Sequence, residues 1–398
     1  FYMDYLAANP SGSFTDFIVH HELTHHLAEI AQILFFLLGA MTIVELVDAH
    51  EGFAVITDRI NTDNRVKLLW IISILTFFFS AALDNLTTSI VMVALLRKLL
   101  KEKDERWFFG GMVILAANAG GAWSPIGDVT TIMLWIGGQV TAMNIITTLI
   151  VPSFVCMVVP LILLSFTKKG KIVRALGRME LEHMQNPTTN FERNLVFFMG
   201  VGGLLLVPIL KTVMHLPPYM GMMFSLGLLW LTTELLHSKK NKEDKSALSV
   251  IGVLKKVDVS TVFFFLGILL AVASLQSAGH LGILATFLEE SIGDIYVINM
   301  IIGVLSSIVD NVPLVAGAMG MYEIGPMVPG VAYPVDHDFW EFLAYCAGTG
   351  GSCLIIGSAA GVAVMGMEKI DFIWYMKNIS IYALIGYVAG AATYVLMF

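Results

Sequence analysis

Long blocks of apolar residues, separated by short polar segments, run along the whole chain. Blocks such as 30–47, 145–166 and 195–210 each contain at most one charged residue. About 18 apolar residues allow a helix to cross the roughly 30 Å hydrocarbon core of a bilayer, and only helices and closed barrels satisfy their backbone polar groups there. Because the sequence lacks the alternating strands of a membrane barrel, the pattern predicts an all-α polytopic membrane protein.

The order of apolar segments and polar breaks occurs twice. Asp84-Asn85 interrupts the apolar segment 68–96, and Asp310-Asn311 interrupts the segment 295–322. The echoed motifs stand 226 to 230 residues apart, and they pair Phe36-Leu-Leu-Gly39 with Phe265-Leu-Gly267, His50-Glu-Gly52 with His280-Leu-Gly282, Ser80-Ala-Ala-Leu-Asp-Asn85 with Ser306-Ser-Ile-Val-Asp-Asn311, and Gly120-Gly121 and Gly127-Asp128 with Gly350-Gly351 and Gly357-Ser358. One order at nearly one offset indicates an internal repeat.

The positions of Lys and Arg predict the orientation of the two halves. The basic segments are 59–67, 97–106, 168–178 and 239–256. Cytoplasmic loops carry such an excess of positive charge, so the segment 68–96, bracketed by two of them, predicts a re-entrant hairpin with Asp84-Asn85 at its tip. Acidic loops flank the second hairpin, which therefore enters from the opposite face. We expect an inverted-topology repeat with two hairpins, two broken helices, about eight crossings and both termini outside.

These features predict four parts of the chain. They are a polar N-terminal segment (1–26), a first repeat (27–166, with a hairpin at 68–96 and a broken helix at 107–140), connecting helices with a cytoplasmic loop (167–256), and a second repeat (257–398, with a hairpin at 295–322 and a broken helix at 339–367). Because the sequence begins at Phe1, it is compatible with a further signal or helix upstream.

Acidic residues at the breaks are the first candidates for chemistry. Asp84 and Asp310 would lie at membrane depth, where a carboxylate costs about 2.5–3.5 kcal/mol. Asp-Asn also turns a chain readily, but a turn alone does not require the pair in both halves. Asp128 follows Gly and Pro residues that break a helix, and carboxylate, hydroxyl and carbonyl oxygens are the ligands of hard cations. The alternative for Asp128 is a helix cap.

Other polar residues near the breaks are further candidates for binding a cation or a proton. They are Asn85, Thr87, Thr88, Asn118, Ser124, Thr130, Thr131, Asn311, Ser352 and Ser358. Thr87 and Thr88 could equally cap the second arm of the hairpin. Glu29, Glu45 and Asp48 lie in or near the first helix, where they are candidates for a proton relay or a gate, or else interfacial charges.

Composition narrows the class of protein. Hydrophobic residues make up 57% of the chain and charged residues 14%, with a net charge of -8. No basic stripe suggests nucleic acid, and the three cysteines lie in apolar segments without paired spacing, so we expect no disulfide and no cofactor. The motif His21-Glu-Leu-Thr-His25, with Asp84 as a third ligand, would suit an intramembrane zinc protease. That remote alternative leaves the duplication unexplained.

Five motifs stand out along the chain. They are Ser80-Ala-Ala-Leu-Asp-Asn-Leu-Thr-Thr88, Ala117-Asn-Ala-Gly-Gly-Ala-Trp-Ser-Pro-Ile-Gly-Asp-Val-Thr-Thr131, Ser307-Ile-Val-Asp-Asn-Val-Pro313, Gly348-Thr-Gly-Gly-Ser352 and Ile356-Gly-Ser-Ala-Ala-Gly-Val362. Together they resemble the NhaD-type sodium/proton antiporters of the ion-transporter superfamily. The resemblance implies a homodimer with a scaffold domain and a transport domain that moves as an elevator. The positions it marks are Asp84, Asn118, Asp128, Thr130, Thr131, Ser306, Asp310 and Asn311.

We therefore predict a secondary transporter, not an enzyme, that exchanges Na⁺ or Li⁺ for H⁺ across a bilayer. Asp84 and Asp128 would bind either the cation or protons, with Thr130, Thr131, Ser124 and freed backbone carbonyls completing the ion shell. Asp310-Asn311 would brace the opposing hairpin or supply a further ligand. A sodium-coupled carboxylate symporter of the same superfold is the alternative. The bacterial inner membrane is the expected location, with a plastid membrane also compatible.

Overall fold

The structure, a computed structural model, describes residues 13, 15, 17, 19, 23–57, 60, 62–173, 188–238 and 240–398. Its helices are α1 (Thr24–Ala49), α2 (Ala54–Thr57), α3 (Arg65–Leu83), α4 (Asn85–Leu99), α5 (Lys103–Ala122), α6 (Val129–Ile136), α7 (Ala142–Thr167), α8 (Asn190–Met214), α9 (Pro218–Leu236), α10 (Lys242–Leu248), α11 (Val250–Leu254), α12 (Val259–Ser277), α13 (His280–Ser291), α14 (Ile295–Leu305), α15 (Asn311–Met321), α16 (Asp338–Gly350), α17 (Ala359–Glu368), α18 (Phe372–Asn378) and α19 (Ser380–Met397). Two short parallel strands, β1 (Glu323–Ile324) and β2 (Ala332–Tyr333), pair with each other.

The helices account for the apolar blocks of the sequence. In the described part of the chain, α1, α3, α7, α8, α9, α12 and α19 are long and apolar enough to cross a membrane. The predicted all-α polytopic architecture is confirmed at this level. Shorter apolar helices, among them α14, α15 and α17, lie beside the chain breaks.

Polar residues at the chain breaks start several of these helices. Asn64 accepts a hydrogen bond from the Lys67 amide at 2.9 Å and so caps α3. Thr189 and Glu192 form a reciprocal capping box at the start of α8. Such caps satisfy amide groups that the first turn of a helix leaves without a partner. They explain why the helices begin where polar residues interrupt the apolar pattern.

The helices pack as two groups. One group contains α1, α8, α9, α11 and α12, and the other contains α3 to α7 with α14 to α17 and α19. Contacts between α12 and α15, and between α8 and α3, join the groups. We refer to them as the α1 group and the α5 group.

The two halves of the chain make equivalent hydrogen bonds. The Ser80 hydroxyl donates to the Ala117 carbonyl at 2.6 Å, and the Ser306 hydroxyl donates to the Ala347 carbonyl at 2.8 Å. Each bond joins the helix before a hairpin tip to the first part of a broken helix. The repeated sequence motifs therefore have repeated contacts.

The residues that start the second part of each broken helix also share one backbone conformation. Asp128 has φ -147° and ψ 149° before α6, and Ser358 has φ -149° and ψ 153° before α17. Both are extended, so in each half a single extended residue follows the turns of the break and leads into the resumed helix.

Ion pairs identify one end of the molecule. The Glu368 carboxylate, at the end of α17, accepts hydrogen bonds from Arg97 at 2.5 Å and Arg106 at 2.9 Å. The end of α17 therefore lies beside the basic segment 97–106, and we call this end the basic face. The acidic loop between α15 and α16 lies against the start of α7 instead, where Asp336 accepts the Thr141 hydroxyl at 2.8 Å.

Candidate functional site

Helix starts from both halves converge on one buried carboxylate, that of Asp128. Its Oδ2 atom accepts the side-chain amide of Asn85 at 2.9 Å and that of Asn311 at 3.1 Å. Its Oδ1 atom accepts the backbone amide of Thr130 at 3.1 Å. Asn85 begins α4 and Asn311 begins α15, so the tips of both hairpins bind the same side chain.

Asp128 is also a helix cap, as the alternative interpretation proposed. It forms a capping box with Thr131, whose hydroxyl donates to the Asp128 carbonyl at 2.9 Å. The cap uses only one of the carboxylate oxygens. The other oxygen and the bonds from both hairpins are not needed to start a helix, so capping does not account for the whole arrangement.

Asn118 links this carboxylate to the second half of the chain. Its side-chain carbonyl accepts the Asn85 amide at 3.0 Å. Its own amide donates to the hydroxyls of Ser352 and Ser358, both at 2.9 Å. The second half thus contributes two hydroxyl groups around Asn118, and one of them, that of Ser358, occupies the position that Asp128 has in the first half.

Asp84 holds the tip of the first hairpin in an unusual backbone conformation. Its φ of 87° lies in the left-handed region, and its side chain caps α4. The carboxylate accepts the Thr87 amide at 2.7 Å and the Thr87 hydroxyl at 2.9 Å. Thr87 therefore serves the hairpin turn, and its role as a cation ligand stays a prediction.

Asp310 occupies the equivalent place in the second hairpin but makes no side-chain cap bond to α15. Asp84 and Asp310 both lie within electrostatic reach of Asp128. Three carboxyl groups thus surround one small region. Such a set favours a cation or protons and disfavours an anion.

Ser124 and Ser306 brace the site from outside. Ser124 donates to the Ala81 carbonyl at 2.5 Å, and Ser306 donates to the carbonyl of Ala347. Each hydroxyl group donates a hydrogen bond that joins a hairpin to a broken helix. These residues therefore fix the positions of the hairpin tips relative to the broken helices.

A small cavity of about 20 Å³ borders the carboxylates. Asp84, Asn85, Asp128 and Asn311 line one side of it. A cavity needs about 15 Å³ of accessible volume to hold one water molecule. The cavity beside the carboxylates therefore has room for one small ion.

The opposite wall of the cavity comes from the α1 group. Leu37 and Met41 of α1 and Thr261 and Phe265 of α12 form it. None of these four residues was among the candidates predicted from the sequence. Two of them lie in a motif that is repeated in the sequence, Leu37 in Phe36-Leu-Leu-Gly39 and Phe265 in Phe265-Leu-Gly267. The repeat was therefore the sequence signal that could have identified this wall.

Two buried hydroxyl groups near the site, those of Thr88 and Thr130, form no well-aligned hydrogen bond with the described residues, and the Thr130 hydroxyl lies within reach of the Asp128 carboxylate. A buried hydroxyl without a partner costs free energy, and a bound cation would supply the missing interaction. Thr130 stands two residues after Asp128. It is therefore the stronger candidate for an ion ligand.

Thr130→Val is expected to raise the Na⁺ concentration needed for half-maximal transport by about tenfold, the effect of losing roughly 1.4 kcal/mol of ion binding. Valine keeps the shape of the side chain and removes only the oxygen. Na⁺-dependent proton flux in proteoliposomes measures the effect. Thr76→Val is the matched control, because the buried Thr76 hydroxyl donates to its own helix carbonyl at Ile72. An unchanged half-maximal concentration would remove Thr130 from the ion shell.

The acidic residues of α1 lie away from the cavity. Glu29 is exposed and lies 3.4 Å from His25, beside a second cavity of about 290 Å³ lined also by Gln139 and Gln276. Glu45 and Asp48 lie near the other end of α1 and interact electrostatically with Lys256. None of these three acids is among the residues that line the 20 Å³ cavity, and their role as a relay or gate stays a prediction.

The zinc alternative receives no geometric support from the part of the chain that the structure describes. His21 and Glu22 lie outside the described residues. Among those that are described, no three His, Cys, Asp or Glu side chains are arranged to hold a metal ion. The three cysteines are buried, as predicted.

Comparison with known proteins places the chain in a transporter family. The family model described as "Citrate transporter" matches residues 23–337. The chain is 46% identical to "Sodium/proton antiporter 2" of Arabidopsis thaliana, over 95% of this chain and 88% of that protein. It is 32% identical to "Na(+)/H(+) antiporter NhaD" of Vibrio cholerae, over 96% of this chain and 81% of that protein. The chain belongs to the family of NhaD-type antiporters.

Membership of the NhaD-type family confirms the resemblance drawn from the five motifs, and it identifies a transporter rather than an enzyme. A further relative, "Sodium/proton antiporter 1" of Arabidopsis thaliana, is 48% identical over 94% of this chain. The chain spans 63% of the length of that relative.

Proposed function

We propose that the protein exchanges Na⁺ or Li⁺ for H⁺ across a membrane by alternating access. The observation that carries the proposal is the Asp128 carboxylate, which the amides of Asn85 and Asn311 hold beside an ion-sized cavity. The names of the plant and bacterial relatives agree with this exchange. Carboxylate and hydroxyl oxygens are the ligands that a hard cation requires.

Competition for one carboxylate is sufficient to couple the two ions. Asp128 binds either a cation or a proton, so loading Na⁺ from one side displaces H⁺ to that side. The amides of Asn85 and Asn311 hold the carboxylate in place. Asp84 and Asp310 add negative charge that keeps a cation favourable even though the site is buried.

Alternating access would come from motion between the α1 group and the α5 group. The Asp128 cluster belongs to the α5 group, while α1 and α12 form only one wall of its cavity. The equivalent bonds of Ser80 and Ser306 support an inverted repeat, and the position of Glu368 on the basic face supports opposite entry of the hairpins. We propose that the α5 group moves as an elevator in a homodimeric scaffold, in a bacterial inner membrane or a plastid membrane.

A sodium-coupled citrate symporter is the second candidate, because the matching family model is described as a citrate transporter. A cavity of about 20 Å³ has no room for a tricarboxylate. Three nearby carboxyl groups would also repel one. These two observations favour a site that holds a cation alone.

Proteoliposomes with an imposed pH gradient test the exchange directly. We expect Na⁺ or Li⁺ to collapse the gradient, with K⁺ and choline as negative controls. Uptake of labelled citrate, measured in the same vesicles, should not exceed that of protein-free liposomes. Citrate uptake driven by Na⁺, with no response of the pH gradient to any alkali cation, would contradict the proposed exchange.

A further inference from the structure

Two buried histidines meet on the basic face, away from the Asp128 cluster. His50 follows the end of α1 and His237 follows the end of α9. Their Nε2 atoms lie 2.7 Å apart and their rings stack with centroids 5.0 Å apart. Both residues are almost fully buried, with 0% and 1% of their surface exposed.

The contacts of the pair define where its protons lie. His50 Nδ1 lies 2.6 Å from the Leu46 carbonyl oxygen, which only accepts, so Nδ1 carries the proton. Neutral His50 therefore accepts at Nε2, and His237 must donate from its own Nε2. The remaining nitrogen, His237 Nδ1, is then a buried acceptor, and it has no hydrogen-bond partner in the described structure.

The group that faces His237 Nδ1 is the Glu192 carboxylate at the start of α8. Its Oε1 atom lies 3.8 Å from His237 Nδ1. Its Oε2 atom accepts Lys240 at 2.8 Å and the Thr189 amide at 2.7 Å. An extra proton on the histidine pair can thus enter at one atom without breaking an existing bond, and its charge would compete with Lys240 for Glu192.

We propose that the His50–His237 pair is a single-proton sensor on the basic face, where a proton at His237 Nδ1 draws Glu192 away from Lys240 and slows ion exchange. The effect on exchange rests on the proposed function. The binding of the proton rests on the geometry of His50, His237 and Glu192 alone.

The pair is placed to act on the moving part of the protein. Phe53, three residues after His50, contacts Phe197 of α8 with ring centroids 6.2 Å apart. It also contacts Phe79 of α3, in the first hairpin, at 6.1 Å. A shift at the start of α8 would therefore reach the contact between the α1 group and the hairpin that carries Asp84.

The surrounding charges set the pH range of the sensor. Burial lowers the pKa of His50 to about 4, and it also lowers the pKa of His237. Lys240 and Lys245 act in the same direction on His237, while Glu192 and Glu234 oppose them. Among the described residues, these are the charged groups that act on the pair. Because the folded pKa values lie below the unfolded value near 6.5, the folded protein loses stability as pH falls below about 6.5.

The pH profile of Na⁺-dependent proton flux tests the sensor. In His237→Gln the side-chain amide still donates to His50 but cannot gain a proton. We expect its rate near pH 8 to stay within about twofold of the parent, while the acid decline moves to lower pH by at least about 0.5 unit. Glu192→Gln should move the decline in the same direction. His280→Gln, at the exposed repeat counterpart of His50, should leave it unchanged.

Thermal unfolding of the purified protein between about pH 7 and pH 5 tests, without transport, whether the folded protein holds His237 neutral where the unfolded chain gains a proton. We expect the unfolding temperature of the parent to fall more steeply on acidification than that of His237→Gln. Parallel unfolding curves, or an acid decline in flux that coincides in the two proteins, would overturn the sensor. A parent without Na⁺-dependent flux at any pH would instead contradict the proposed exchange, and the unfolding experiment would still decide whether His237 titrates at a lower pH in the folded protein than in the unfolded chain.

Discussion

Asp128→Asn is expected to reduce Na⁺-dependent proton flux by at least about 100-fold, a loss of roughly 2.7 kcal/mol of transition-state stabilisation. Asparagine has nearly the shape of aspartate, but it carries no charge for Na⁺ and cannot bind and release a proton. Both ions would lose the group for which they compete. The bonds from Asn85 and Asn311 could persist, because the new side chain keeps one carbonyl oxygen.

The same substitution should leave the fold intact, because asparagine caps helices as well as aspartate does. Flux in proteoliposomes and the unfolding temperature of the purified protein measure the two effects separately. Asp336→Asn is the matched control, since Asp336 accepts the Thr141 hydroxyl far along the chain from the breaks. Flux within about threefold of the parent in Asp128→Asn would exclude this carboxylate as the exchange site.

The breaks in the helices could be predicted from sequence because their signals are local. Gly and Pro interrupt an apolar pattern wherever they occur, and Asp-Asn marks a turn. In the structure α3 ends at Leu83 and α6 begins at Val129, directly beside the polar residues that carry those signals. A local signal does not distinguish a structural role from a functional one. Asp84 has both kinds of contact, because its side chain caps α4 and also lines the cavity.

Partners that are distant along the chain could not be predicted. Asn311 reaches Asp128 from 183 positions away, and His50 reaches His237 from 187 positions away. No spacing in the sequence encodes such contacts, which depend on how the helices pack. The repeat showed that Asp84 and Asp310 occupy equivalent places, but it did not show that both hairpin asparagines bind the same carboxylate.

Backbone packing at one glycine leads to the second large expected effect. A Cβ atom at Gly350 of α16 would lie much closer to the Gly303 carbonyl oxygen of α14 than atoms can approach. The neighbour is backbone, so no side-chain rotation relieves the clash, and the two helices must separate. Gly120 of α5 meets the Phe77 carbonyl of α3 in the same way. Small residues permit such close approach of helices in membranes.

We expect Gly350→Ala to destabilise the protein by about 3 kcal/mol, at the upper end of the usual cost of overpacking. Gly227→Ala in α9 is the matched control. It meets no atom within 4 Å, and it should be neutral or stabilising by up to about 1 kcal/mol because alanine favours helix. Thermal unfolding in detergent should therefore separate the two variants by several degrees in opposite directions. Equal unfolding temperatures would mean that α14 and α16 are not held at this distance, and the position of Asn311 beside Asp128 would then lose its support, since α14 leads directly to that hairpin tip.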